Sequence, residues 1–330
     1  MSVGKWLGLA ALLSVLVVGY NVIRTKAPTP IGNIVIAEAS QPVFSLLYIA
    51  KEKGFFKQQG LNVTFRSFTS GRDALQDTVD GNSDLATSYE TPVVLQTLAG
   101  ADLKVISSLH FSNKNTAMLA LKSAGILNPQ DLIGKTVAVP KNTNADFFLN
   151  MYLASEGIPF DAVNTLDVKP EHMLSVLEQK KADAVAIWNP HLYILNQTLG
   201  AESTSYFYSN AYTEFSVLVG QSKVIEEKSV QMAAIAKALI KAEHYLGSSP
   251  QQAKELVVNY LGDHSRSSVE GTWEDYQKTI KLNNVLVTIL EQEAEWIIKQ
   301  RKLTQEQPDF RSVIEPRFIK STSPNAVTLL

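Results

Sequence analysis

The sequence predicts an α/β chain of two similar lobes, each a mostly parallel sheet flanked by helices, with two crossover strands between them. Three observations carry this. First, one order of elements is written twice. The first copy opens with Ile34-Val-Ile-Ala37 and closes with Gly81-Asn-Ser-Asp-Leu-Ala-Thr-Ser-Tyr-Glu-Thr-Pro92; the second opens with Thr136-Val-Ala-Val-Pro140 and closes with Ala182-Asp-Ala-Val-Ala-Ile-Trp-Asn-Pro190. Second, short apolar runs alternate with longer amphipathic ones, the pattern of parallel strands joined by right-handed helical crossovers. Third, 330 residues, 45% hydrophobic and 19% charged, suffice for two domains with buried cores.

The elements follow from their punctuation. Lys5 precedes an uncharged run from Trp6 to Ile23, and Arg24 and Lys26 follow it, so 1–26 reads as an uncleaved membrane anchor or, alternatively, a signal segment removed on export. The best small-x-small site, Thr25-Lys-Ala27, is followed by Pro28, which disfavours cleavage. Two prolines and a glycine make 27–32 a linker. In the first lobe Ile34 to Ala37 is a buried strand and Val43 to Lys53 a helix stopped by Gly54. Leu61 to Arg66 alternates as a strand, Arg72 to Val79 is a short helix, and Leu85 to Thr87 and Leu103 to Leu109 are further strands. The second lobe repeats the order with strand Thr136 to Val139, helix Ala145 to Glu156, strand Thr165 to Val168, helix Glu171 to Lys180 and strand Ala184 to Trp188. Thr116 to Leu121 and Phe215 to Val219 read as the crossover strands, which makes the second lobe an insertion: lobe 1 at 33–118, lobe 2 at 119–214, and a return to lobe 1 at 215–330. The return is helical. Met232, Ile235, Leu239, Ala242 and Leu246 form one apolar stripe, Ser249-Pro250 starts a helix running to about Tyr260, and Asn284 to Gln300 is a third.

Composition removes whole classes of function. A formal net charge of −2 gives no basic field for nucleic acid. The absence of cysteine excludes disulfides, thiolate metal sites, iron–sulfur clusters and cysteine nucleophiles. No GxG fingerprint, Walker loop, Ser nucleophile elbow or HExxH spacing occurs, so no cofactor or metal is expected.

What remains is positional, because ligands of open α/β sheets lie beyond the carboxyl ends of the strands. Those ends supply Ser40 and Gln41 with Phe44 just beyond, Ser70 and Gly71, Ser88, Tyr89 and Glu90, His110, Asn142, Thr143 and Asn144, Trp188 and Asn189, and Glu214 before the second crossover. Free N–H groups at the turn Asn142-Thr-Asn144 suit a carboxylate, sulfonate or phosphate, with simple helix capping as the competing reading. Trp188 and Tyr89 offer flat walls or core packing. Glu90, directly beyond a buried strand, needs a partner, either a ligand amine or hydroxyl or a protein arginine. Asp146 belongs with the helix N-terminus.

Several stretches then resemble a known family. Ile49-Ala-Lys-Glu-Lys-Gly-Phe-Phe56 with Gly60-Leu-Asn-Val63, Asp131-Leu-Ile-Gly-Lys135, Asp84-Leu-Ala, Asp183-Ala-Val-Ala-Ile-Trp-Asn-Pro190, Glu293-Ala-Glu-Trp296 and Pro324-Asn-Ala-Val-Thr328 are similar to ABC-transporter substrate-binding proteins of the nitrate, sulfonate, taurine and thiamine-precursor group. The resemblance implies a periplasmic-binding-protein type II fold and a monomer outside the cytoplasm. It also implies capture of a small anion or zwitterion between hinged lobes, and delivery to ABC permease and ATPase subunits. The apolar N-terminal segment departs from the group by holding the chain at the inner membrane, which keeps a tethered sensor as an alternative. A lyase or dehydratase using Glu90, Asp146 and His110 is a second alternative. The thiamine-precursor synthases of this fold use a cysteine-rich iron site, which a chain with no cysteine does not carry.

Overall fold

The computed structural model describes residues 29–200, 203–209 and 212–329. The segment expected to be an anchor, 1–26, lies outside them. Among the described residues no helix is long and apolar enough to cross a membrane.

Ten strands build two five-stranded sheets. They are β1 (Gly32–Ala39), β2 (Leu61–Phe68), β3 (Leu85–Tyr89), β4 (Leu103–Ser112), β5 (Thr116–Leu121), β6 (Thr136–Val139), β7 (Asn164–Asp167), β8 (Ala184–Trp188), β9 (Thr204–Phe207) and β10 (Glu214–Gln221). The first sheet has the order β2-β1-β3-β10-β4 and the second β7-β6-β8-β5-β9. The order is the same in both, so the duplication in the sequence is a duplication of topology. β1 pairs in parallel with both β2 and β3, and its apolar run reflects burial on both faces. β2, at the edge, alternates between covered and exposed positions, as its sequence does.

The two segments expected to cross between lobes are the reversed strands of the two sheets. β5 runs antiparallel to β8, starting with Thr116 opposite Trp188, and β10 runs antiparallel to β3, with Ser216 opposite Tyr89. A chain entering a sheet from the joint starts where the parallel strands end, so it must run against them. The passage out of the first sheet is therefore the short stretch between Ser112 and Thr116, ahead of the boundary expected at 118/119. The return enters at Glu214.

Helices cover the faces where the apolar spacing placed them. The first opens as a 3-10 turn at Pro42–Phe44 before Ser45–Glu52, and Asn284–Gln300 has the expected bounds. Two further helices, to which the sequence pattern assigns nothing, follow strand ends directly: Glu90–Leu98 after β3 and His191–Leu199 after β8. Pro92 is tolerated because the first turn of a helix has no use for its missing N–H. The long return helix Ser229–Ser248 packs on Ser45–Glu52, and Asn284–Gln300 packs on Glu90–Leu98. Each lobe has its own apolar core, and Trp296 packs against both.

Candidate functional site

The strand ends of the two sheets meet at a buried polar centre. Glu214, the first residue of β10, is 1% exposed and accepts from both lobes and from the joint. Oε1 takes Asn115 Nδ2 at 2.5 Å and lies 3.4 Å from His110 Nε2; Oε2 takes Thr116 Oγ1 at 2.5 Å and Asn144 Nδ2 at 3.0 Å. His110 turns its other nitrogen to Ser216 Oγ at 2.5 Å. Burial holds the His110 imidazole below its ordinary pKa against the pull of Glu214, which favours the neutral ring.

Aromatic rings wall this centre. Tyr89 lies edge-on to Phe44 at 6.2 Å and to His110 at 5.8 Å, and is tilted to Trp188 of the other lobe at 6.4 Å. The Tyr89 hydroxyl stands 3.5 Å from Gln41 Oε1 and receives Asn115 Nδ2 at 3.2 Å. Three atoms of these same side chains are buried without a hydrogen-bond partner: Gln41 Nε2, Asn115 Oδ1 and Trp188 Nε1. Buried polar groups are normally satisfied, so two donors and an acceptor left open around one ring cluster mark a place built to meet something else.

Among the described residues Glu90 is not paired with an arginine. Its carboxyl accepts the Tyr212 hydroxyl and the Phe215 N–H at 3.1 Å, both from the segment by which the chain returns to lobe 1. Burial, then the nearby Glu214 carboxylate, push Glu90 up to about 8. Glu293, on the helix Asn284–Gln300, is likewise raised, first by burial and then by Glu90.

The remaining expected residues have structural partners. Ser70 caps Gly71–Val79, its hydroxyl accepting from Asp73 N at 3.2 Å. Gly71 lets that helix approach β3, since a Cβ there would lie 3.0 Å from Ser88 Cα. Ser88 is buried, its hydroxyl donating to the carbonyl of Tyr89 at 3.2 Å. Ser40 is exposed and donates to Glu38 at 3.0 Å. Asn189 donates to Asp275 at 3.1 Å across the lobes and accepts from Tyr193 N. In the turn at Asn142 one of the three N–H groups, that of Asn142, has a side-chain acceptor. Asp146 Oδ2 already receives the Asn142 N–H at 3.1 Å, Lys141 pairs with Asp146 at 3.0 Å, and the Thr143 hydroxyl donates to Pro140 O. Asn142 itself is exposed and receives Arg301, while Asn144 turns inward to Glu214. Among the described residues no group of histidine and carboxylate side chains is arranged to hold a metal.

Fold and site together define a two-lobed solute-binding protein of the periplasmic-binding-protein type II class. The chain belongs to the family described as NMT1/THI5 like, whose profile matches residues 41–253. A putative aliphatic sulfonates-binding protein of Bacillus subtilis is 26% identical over 290 residues, 85% of each chain. The formylaminopyrimidine-binding protein of Halalkalibacterium halodurans is 26% identical over 220 residues, 66% of each. Among solved structures, the alkanesulfonate-binding protein from Xanthomonas axonopodis pv. citri bound to MOPS superposes with a TM-score of 0.74 at 18% identity, over 88% of this chain and all of that one.

Proposed function

We propose that this chain is the solute-binding component of an ABC importer, working outside the cytoplasm, and that its solute is a flat, N–H-bearing heteroaromatic of the aminopyrimidine kind. The observation that carries the solute class is the centre around Tyr89. It combines ring walls from both lobes with the Glu214 carboxylate and Asn115 Oδ1 as acceptors, and Gln41 Nε2 and Trp188 Nε1 as donors. A flat ring admitted between Tyr89 and Trp188 as the lobes part would meet an acceptor and a donor at its edge, as an aminopyrimidine requires. A bare sulfonate needs only donors, and the buried carboxylate of Glu214 opposes it. The formylaminopyrimidine-binding relative supports this choice.

The solute would hold the lobes together by touching both, with Gln41, Tyr89 and Glu214 on one side and Asn144 and Trp188 on the other. The rest of the reading is capture by a monomer without turnover, transfer to permease and ATPase subunits, and tethering to the inner membrane through 1–26. The test is calorimetric titration of protein stripped of ligand with 4-amino-2-methylpyrimidine derivatives, taurine and methanesulfonate. Saturable binding of the pyrimidines alone, with the ligand recovered intact after long incubation, is expected. Binding of the sulfonates alone would overturn the solute class, and conversion of the ligand would overturn capture without turnover.

A further inference from the structure

Behind the Tyr89 centre, near the end of β1, Glu38 is fully buried and among the described residues forms no salt bridge. Three hydroxyls hold its carboxyl instead. Oε1 receives Ser40 Oγ at 3.0 Å and Ser67 Oγ at 2.7 Å, the latter from its register partner on β2, and Oε2 receives the Tyr48 hydroxyl at 2.8 Å. Tyr48, on the helix Ser45–Glu52, is fully buried and stacks on Tyr260 of the helix Pro250–Leu261 at 4.2 Å. Burial, then the Glu38 carboxyl, hold the Tyr48 phenol well above its ordinary pKa, so its proton stays in place as the donor. With that proton committed, the phenol oxygen is left to accept, and it takes the backbone N–H of Gln41 at 3.2 Å.

The carbonyl of Gln41 is tied as well, receiving the Phe44 N–H at 3.1 Å. On one side Ser40 is bound to Glu38 through its hydroxyl, and on the other Pro42 opens the 3-10 turn with a fixed φ. The Gln41 side chain is buried, with Nε2 open and Oε1 3.5 Å from the Tyr89 hydroxyl. A buried donor ordinarily finds a partner through a small movement of its chain. Here both backbone groups are held, so the chain cannot make that movement without breaking a hydrogen bond.

We propose that Glu38 and Tyr48 are positioning residues that pin the loop Ser40–Pro42 and thereby keep the Gln41 amide open at the ring centre for the solute. The inference rests on the solute site proposed above, and it makes Glu38 a determinant of specificity that acts only through Tyr48 and Gln41. A carboxyl suits the task because its hydrogen bonds to hydroxyls are stronger than those of a neutral acceptor. Holding the loop before the solute arrives spares the solute the cost of ordering it.

The test has one arm without solute and one with it. In the full chain without solute, amide hydrogen exchange read by NMR should be about tenfold or more faster at Gln41 N–H in Tyr48→Phe, which keeps the ring stacked on Tyr260, and faster to a lesser degree in Glu38→Gln. The Ala39 N–H, held by Thr87 Oγ1 at 3.0 Å, should keep its rate. In the second arm, 4-amino-2-methylpyrimidine and 3-methylaniline, the same ring with both nitrogens replaced by C–H, are titrated calorimetrically. Tyr48→Phe should weaken the pyrimidine about tenfold and the aniline hardly at all, and should add no further loss in a Gln41→Ala background. A purely structural role would weaken both compounds alike and persist in Gln41→Ala. Unchanged exchange at Gln41, equal losses for the two compounds, or an undiminished loss in Gln41→Ala would each overturn the proposal. Should the parent bind taurine or methanesulfonate in place of the pyrimidine, the solute class falls, and the same cycle with that sulfonate, which also needs the Gln41 donor, decides the positioning role by itself.

Discussion

Glu214 is a buried carboxylate whose stability rests on donors, with Asn115, Thr116 and Asn144 supplying them from the joint and from the second lobe. Removing the acceptor leaves those donors buried and open, at a cost of about 1–3 kcal/mol. Glu214→Ala is therefore expected to lower the urea midpoint clearly and Glu214→Gln, which keeps one acceptor oxygen, by less; equal midpoints for both variants and the parent would refute the arrangement. Glu90 gives a pH dependence of opposite character. Its folded pKa, about 8, lies above the ordinary 4.5, so the folded state holds a proton that the unfolded state has released between those values. The penalty is absent below about pH 4.5 and complete above about pH 8, and stability falls as pH rises through the window. His110 and His191 act the other way below their ordinary 6.5, because burial lowers both, His191 to about 4. The difference between parent and Glu90→Gln isolates the glutamate: denaturation midpoints from pH 5 to 8.5 should decline less in the variant, and parallel curves would count against a protonated Glu90. Glu90 and Glu214 were legible in the sequence as carboxylates at strand ends, whereas Asn115 carries no pattern and matters only because β5 pairs with β8. The burial of Glu293 has a signal in the sequence, a carboxylate falling between Leu290 and Ile297 on the apolar side of its helix.

Elements separate into those written locally and those decided by distant pairing. β6, β8 and Asn284–Gln300 have the bounds their apolar runs and flanking residues mark. The reversed direction of β5 and β10 is set by where the chain enters each sheet, which no local window contains, and β9, a short outer strand of mixed polarity, leaves no periodic signal. The seating of Gly71–Val79 on β3 tests a contact of this second kind. A Cβ on Gly71 would meet Ser88 Cα at 3.0 Å and Thr87 O at 3.3 Å, both backbone atoms that cannot turn aside. Gly71→Ala is expected to cost about 1–3 kcal/mol through displacement of the helix, despite the better helix propensity of alanine. Calorimetric melting checks this, and an unchanged or raised Tm would show that the helix is free to move outward. The same displacement would shift Ser88 and Tyr89, so solute affinity should fall together with Tm.

At the scale of the molecule, a few polar contacts around the rim of the joint add to the buried Glu214 cluster and to Trp296, which packs on both cores. Arg72 donates to Lys141 O at 2.9 Å, Arg301 to the Asn142 side chain, Asn189 to Asp275 at 3.1 Å, and Tyr193 meets Ser267 at 3.0 Å. The two arginine contacts lie at the rim, where solvent competes, and each is worth well under about 1 kcal/mol by the standard of exposed pairs. Such weak contacts suit lobes that must part to exchange solute, because a strong latch would trap it. A solute bound only between closed lobes leaves through the open state, so its residence time depends on how often the lobes part. Arg72→Ala combined with Arg301→Ala should thus shorten the residence time by about three- to tenfold without slowing capture, since neither side chain belongs to the Tyr89 centre. Stopped-flow fluorescence measures both rates, and small-angle scattering should show a larger radius of gyration for the double variant without solute. An unchanged residence time would mean that the rim contacts do not govern opening, and that the Glu214 cluster with the Glu90–Tyr212 contact at the joint sets it instead.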